Sequence, residues 1–152
     1  LSVFDIEAVA SLAHDRGIPL LVDATVATPA LLRPLTLGAD IVIHSTTKSM
    51  TSSGLAVGGA IVARHDIPTT VGPDEMAEDF ATYVKLLPYR DHGPGLSPFN
   101  ALMTLTELRT LRLRLVHRGL TLPTLPPAAV PRPGQQAFRA RLDQVRLTLR
   151  WP

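Results

Sequence analysis

Ala39-Asp40-Ile41-Val42-Ile43-His44-Ser45-Thr46-Thr47-Lys48 is a short apolar run, rich in β-branched residues, that ends in a cluster of hydroxyls and one lysine. A run of this length and composition reads as a strand buried on both faces, which is the habit of a parallel sheet. In open α/β sheets ligands bind just beyond the carboxyl ends of such strands. A lysine held there away from bulk water gives up its proton more readily and becomes a nucleophile toward aldehydes. Ser45 and Thr47, three and one residues before the amine, suit a phosphate group through short charge-assisted hydrogen bonds. The four residues Ser45 to Lys48, taken alone, equally fit a solvated lysine at a strand end.

A second apolar run upstream, residues 18–22, ends in Asp23-Ala24-Thr25. A carboxylate at a strand end can pair with the protonated nitrogen of a pyridine ring and keep it cationic, so that the ring withdraws electrons. An aldehyde, a phosphate and a pyridine nitrogen together describe pyridoxal phosphate. The two strand ends supply complementary halves of one site for it.

Four segments in order then carry a family resemblance: DIEAVASLAHDRGIPLLVDATVATP (residues 5–29), GADIVIHSTTK (38–48), VGGAIV (57–62) and GLSPFNAL (95–102). Over residues 1–118 the chain resembles the Cys/Met-metabolism family of pyridoxal-phosphate enzymes, which includes cystathionine γ-synthase, cystathionine lyases, methionine γ-lyase and O-acetylhomoserine sulfhydrylase. The resemblance implies an α/β fold: part of the large cofactor-binding domain of a fold-type I, aspartate aminotransferase-like enzyme, with a mostly parallel sheet and flanking helices. It implies that Lys48 forms the Schiff base with pyridoxal phosphate and moves the substrate α-proton, that Asp23 pairs with the ring nitrogen, and that Ser45 and Thr47 hold the phosphate. Thr25 is expected to support the ring. The implied reactions are β- or γ-elimination and γ-replacement on small amino-acid substrates, in a cytoplasmic homo-oligomer.

The chain departs from the family pattern after Lys48. An aromatic residue, a glycine and a histidine or glutamine are usual there, whereas this sequence has Ser49, Ser52 and Ser53 before Gly54. Small polar residues in this number predict a flexible, weakly constrained loop. Ala24 stands where asparagine is frequent. The rival expectation is a truncated, non-catalytic remnant whose lysine no longer holds the cofactor.

Composition narrows the alternatives. With 152 residues and 45% hydrophobic content the chain can build one sizeable core. A formal charge of +2 gives no reason to expect nucleic acid or acidic membranes as partners. The absence of cysteine excludes a disulfide framework and a thiolate metal site. No apolar run reaches the roughly 18 residues that a membrane span requires. No G-x-G-x-x-G follows a strand, so a Rossmann oxidoreductase has little support.

Local signals give the remaining elements. Asp5 caps a helix with Ile6, Val9, Ala10 and Ala13 on one face, stopped by Gly17. Pro34 begins a helical turn before Gly38. Gly58 and Gly59 open a third strand at residues 60–63, which the family resemblance makes antiparallel. Residues 74–87 are expected to form one helix whose face of Met76, Phe80, Tyr83, Val84 and Leu87 lies in the core or a subunit contact. Ser97 caps a helix begun by Pro98, with an apolar stripe of Ala101, Leu102, Leu105, Leu108 and Leu111. His44, Ser97 and Asn100 are read as structural.

Six of the fourteen prolines lie from Pro123 onward, where Asp143 is the lone acid among arginines. Residues 119–152 are therefore expected to be a Pro/Arg-rich tail, disordered or translated from a shifted frame, in place of the C-terminal domain. The start at Leu1 in mid-pattern suggests a fragment.

Overall fold

A computed structural model describes residues 4–51 and 53–117, all within one compact unit, Leu1–Thr121. The expected tail at 119–152 lies outside the described residues. Three strands form one sheet in the order β1 (Leu21–Asp23), β2 (Ile41–Ser45), β3 (Gly59–Ala63). β1 and β2 are parallel, with Leu21 opposite Ile41 and Asp23 opposite Ile43. β3 returns antiparallel, with Ile41 opposite Ala63 and Ser45 opposite Gly59. The described sheet is thus mixed, and its parallel pair sends two carboxyl ends to the same edge of the fold.

The crossover before β1 begins with α1 (Ile6–His14), where the Asp5 carboxylate accepts the Ala8 N–H at 3.0 Å as the sequence predicts. Ile6 packs with Val22 and Ala39 and with the partly buried Leu20, Leu32 and Leu37, which fastens α1 to one sheet face. After β1 come the short α2 (Thr28–Leu31) and a tight helical turn, Pro34–Leu37. Gly38 closes that turn at φ +95°, where a Cβ would lie 3.0 Å from the Ala10 methyl, so the glycine serves both the backbone and the packing.

Asp40, at the entrance to β2, is fully buried and ties four segments together. Its Oδ2 accepts the Leu20 N–H at 2.8 Å and pairs with His14 Nε2 at 2.7 Å. The Arg64 guanidinium, just past β3, stands 3.6 Å from Oδ1. The knot lies at the end of the strands opposite to Asp23 and Ser45.

Residues 74–87 do not form the single helix that the periodicity predicts. α3 (Asp74–Glu78) stops at Asp79, whose φ of −143° and ψ of 85° leave the helical region. The Asp79 side chain then caps α4 (Phe80–Val84) by accepting the Thr82 N–H at 3.0 Å. A wide turn, Lys85–Tyr89, encloses Pro88 and leads to α5 (Arg90–His92). Of the predicted core face, Met76, Phe80, Tyr83 and Val84 are half-buried and Leu87 is exposed. Backbone pairing of Asp66 and Ile67 with Glu78 and Ala77 breaks the helix from outside.

α6 (Pro98–Leu108) starts as predicted, with Ser97 Oγ accepting the Asn100 N–H at 3.1 Å. Its apolar stripe is turned outward: Leu102 and Leu105 are 59% and 60% exposed, and only Leu111 of the set is buried. Leu111 and Leu115 of α7 (Leu111–His117) form a second small core with Met50. No described helix is long and apolar enough to cross a membrane.

Candidate cofactor site

The carboxyl ends of β1 and β2 are joined through Thr25. Its Oγ1 accepts the Ser45 N–H at 2.8 Å, while its own N–H donates to Asp23 Oδ1 at 2.9 Å. The Thr25 hydroxyl, followed by its N–H, holds the Asp23 carboxyl below the ordinary aspartate range, with a smaller contribution from His44. Asp23 is therefore anionic throughout neutral pH. Replacing Thr25 with valine removes the hydroxyl but keeps the backbone donor. The Asp23 pKa is expected to rise toward its ordinary value, read by the carboxyl carbon shift in an NMR titration. The sign follows from linkage: a lowered folded-state pKa contributes stability above the unfolded pKa, and that contribution is lost as pH falls through the folded value. T25V and the wild type should therefore differ least at the acid end. Asp23 is exposed, so the stability difference is small.

Asp23 and Ser45 line a cavity of about 840 Å³ between the sheet and the segment from α4 to Pro94. Gly59 adds a stretch of wall without a side chain, opposite Ser45 in register. The opposite wall carries Lys85, Tyr89 and His92. Sequence reading gave these three no role in the site, although their spacing of four and three residues marks one helical face. The volume lies within the range of about 300–1,000 Å³ usual for small-molecule and cofactor sites.

The other expected residues lie around the cavity rather than on its wall. Thr47 Oγ1 accepts the Gly58 N–H at 3.0 Å and donates to Gly58 O at a longer 3.3 Å. Gly58 itself is a close approach: a Cβ there would meet Leu96 Cδ1 and Thr46 Oγ1, each at 2.8 Å. Lys48 is exposed rather than shielded from water as the strand-end reading expects, on a turn that follows β2. Its N–H donates to Ser45 O at 3.3 Å within that turn. His44, read as structural, is 94% buried, and its Nδ1 has no hydrogen-bond partner among the described residues.

Ser49–Thr51, directly after Lys48, is not the loose loop that the sequence predicts there; Ser52 lies outside the described residues. Ser49–Thr51 is a helical turn with Met50 and Thr51 buried. Thr51 Oγ1 donates to Thr46 O at 2.6 Å, and the Thr51 N–H reaches the same oxygen at 3.0 Å. Thr51→Val is expected to lower stability by about 1 kcal/mol in urea unfolding, near the low end for a buried hydrogen bond, because Thr46 O keeps its backbone partner.

Residues 1–121 match the family model described as Cys/Met metabolism PLP-dependent enzyme. The chain belongs to that family. It is 42% identical over 117 residues to cystathionine gamma-synthase of Mycobacterium tuberculosis, covering 76% of this chain and 26% of the relative. It is 43% identical over 111 residues to O-succinylhomoserine sulfhydrylase of Pseudomonas aeruginosa, covering 73% and 24%. Among solved structures, cystathionine gamma synthase of Xanthomonas oryzae in complex with aminoacrylate and cysteine matches with a TM-score of 0.60 at 36% identity, over 74% of this chain and 26% of that one. A Campylobacter jejuni structure that carries N'-pyridoxyl-lysine-5'-monophosphate matches with a TM-score of 0.64 at 31% identity, over 74% and 33%.

The chain therefore spans about a quarter of the length of the curated relatives it matches. Its sheet and helices are part of the cofactor domain of a fold-type I, pyridoxal-phosphate-dependent enzyme of the Cys/Met-metabolism family.

Proposed function

We propose that this chain carries the lysine-bearing part of the cofactor site of a transsulfuration-type enzyme. On this reading residues 1–118 are part of the large domain and residues 119–152 a separate tail. The observation that carries it is the single cavity shared by the Asp23 carboxylate and Ser45, in a chain of this family. The donor set suits pyridoxal phosphate: an anion for a ring nitrogen, hydroxyls for a phosphate, and an amine for an aldehyde carbon. When bound, the cofactor supplies an electron sink for the pair left at a substrate α-carbon.

Each residue then has a defined task. Asp23, kept ionised by Thr25, holds the ring proton in place. Ser45 Oγ and Thr47 Oγ1 would hold the phosphate through charge-assisted hydrogen bonds. Thr25 fixes the spacing of the two strand ends through Ser45 N–H. Lys48 Nζ would hold the cofactor through its aldehyde carbon and would accept the α-proton of a bound substrate. The substrate class proposed is small amino acids of sulfur metabolism, in line with the cysteine in the Xanthomonas oryzae complex. A cytoplasmic homo-oligomer is the setting proposed with it.

A second reading has its own support. Lys48 is exposed and off the cavity wall, whereas Lys85 is on it, as in a remnant that no longer positions its lysine. Treating the purified chain with pyridoxal phosphate and borohydride, then mapping the adduct by peptide mass spectrometry, separates the two. Label on Lys48 supports the cofactor site; label on Lys85 alone, or none, supports the remnant.

A further inference from the structure

Lys48 is followed at once by two backbone carbonyls that a single side chain seizes. Arg114 of α7 donates from one terminal nitrogen to Ser49 O at 2.6 Å and from the other to Met50 O at 3.0 Å. The second nitrogen also reaches Glu107 O, at the end of α6, at 2.9 Å, and Nε reaches Thr110 Oγ1 at 3.2 Å. Four separate acceptors on one planar group make a rigid fork, which a lysine's point charge cannot reproduce.

The other side of the same turn is fixed to the end of β2 by Thr51, through both its hydroxyl and its N–H on Thr46 O. Between the two anchors Met50 is buried against Leu111 and Leu115. The backbone that bears Lys48 is thus held from the strand side and from the α6–α7 corner, while its side chain remains exposed.

We propose that Arg114 is a positioning residue for Lys48: its fork fixes the turn that follows the lysine, and so fixes where the amine is presented relative to Asp23 and Ser45. The inference rests on the cofactor reading proposed above. An amine on a fixed backbone loses less freedom on reaching a bound aldehyde than one on a loose loop, so the gain is in preorganisation.

The chain has two lysines, Lys48 and Lys85, and the second lines the cavity without contacting the fork, so it is an internal reference. The full 152-residue wild type and the variants R114Q, R114K and L115A are each treated with pyridoxal phosphate and borohydride. The Lys48-to-Lys85 label ratio, the exchange rate of the Thr51 amide and the unfolding midpoint are measured on each. R114Q is expected to lower the ratio about tenfold, the factor that corresponds to one lost charge-assisted bond. R114K should recover part of it. L115A loosens the same helix and the packing on Met50 without removing the fork, so it should lower the midpoint and lower the ratio less than R114Q does.

A ratio unchanged in R114Q, or lowered as far by L115A, overturns the inference. If R114Q does not fold, R114K decides, since it keeps the charge and the stem but loses the fork, and a wild-type ratio there overturns the proposal. A wild-type chain without label on Lys48 overturns the cofactor reading itself. Thr51 amide exchange, which needs no cofactor, then tests the fork: it must quicken more in R114Q than in L115A.

Discussion

Lys48→Ala is expected to abolish the reducible adduct at that position and with it the colour that pyridoxal phosphate gives on bonding an amine, while Lys85→Ala leaves both in place. The contrast is sharp because these are the chain's two lysines and they differ in setting. Lys85 lines the cavity wall opposite Asp23 and Ser45, on the segment after α4. Lys48 stands three residues beyond Ser45, exposed, on a turn held by Thr51 and Arg114. An ordinary exposed lysine is almost wholly protonated at neutral pH, so an amine that reacts selectively must be presented, not merely present. Absorbance and peptide mapping on the two variants and the wild type check this directly. Colour retained in K48A and lost in K85A would move the chemistry to the helical wall and end the proposed assignment.

Asp40→Ala is expected to lower stability by about 3 kcal/mol, the upper range for leaving buried hydrogen-bond partners unsatisfied. The carboxylate is fully buried and serves the Leu20 N–H and His14 Nε2 at once, with Arg64 close by. Removing it strands a backbone donor at the start of β1 and leaves a methyl-sized group where three segments converge. Because small domains are stable by only about 5–15 kcal/mol, such a loss is a large fraction of the total. Urea unfolding of wild type and D40A checks it. A change below about 1 kcal/mol would mean that water replaces the carboxylate without loss, against the burial seen here.

The sequence discloses what local chemistry controls. Asp5 and Ser97 cap their helices because a side-chain oxygen there meets an N–H three residues on, a relation written within four positions. The parallel pairing of β1 and β2 and the antiparallel return of β3 follow from apolar runs and family resemblance together. The residues proposed for the cofactor share one placement that the sequence shows: Asp23, Thr25, Ser45, Thr47 and Lys48 all sit at or just beyond strand ends.

What escaped the reading depends on partners far along the chain. The turn at 49–51 looks slack because it opens a stretch of small polar residues, yet its second anchor is Arg114, 64 and 65 residues away from the carbonyls it binds. The helix predicted over 74–87 breaks at Asp79 because the segment that follows β3, His65 to Ile67, competes for its backbone. The α6 stripe is periodic as predicted, but periodicity reports a face and not what covers it, and Leu102 and Leu105 stand open. Lys85, Tyr89 and His92 belong to the cavity only because α4 folds over the sheet.

The placement of the Asp40 knot gives β2 a division of labour. Five residues of strand, about 16 Å at the usual rise, separate the end that holds the fold from the end that faces the cavity. Harm at the two ends should take different forms. Random substitutions collected from this chain and screened for both yield and colour should fall into two groups: those clustered around Asp40, His14 and Leu20 that leave little protein to test, and those around Asp23, Ser45 and Lys48 that leave abundant protein which never turns yellow. A strand of this kind lets a lineage alter its chemistry at one end without renegotiating its fold at the other.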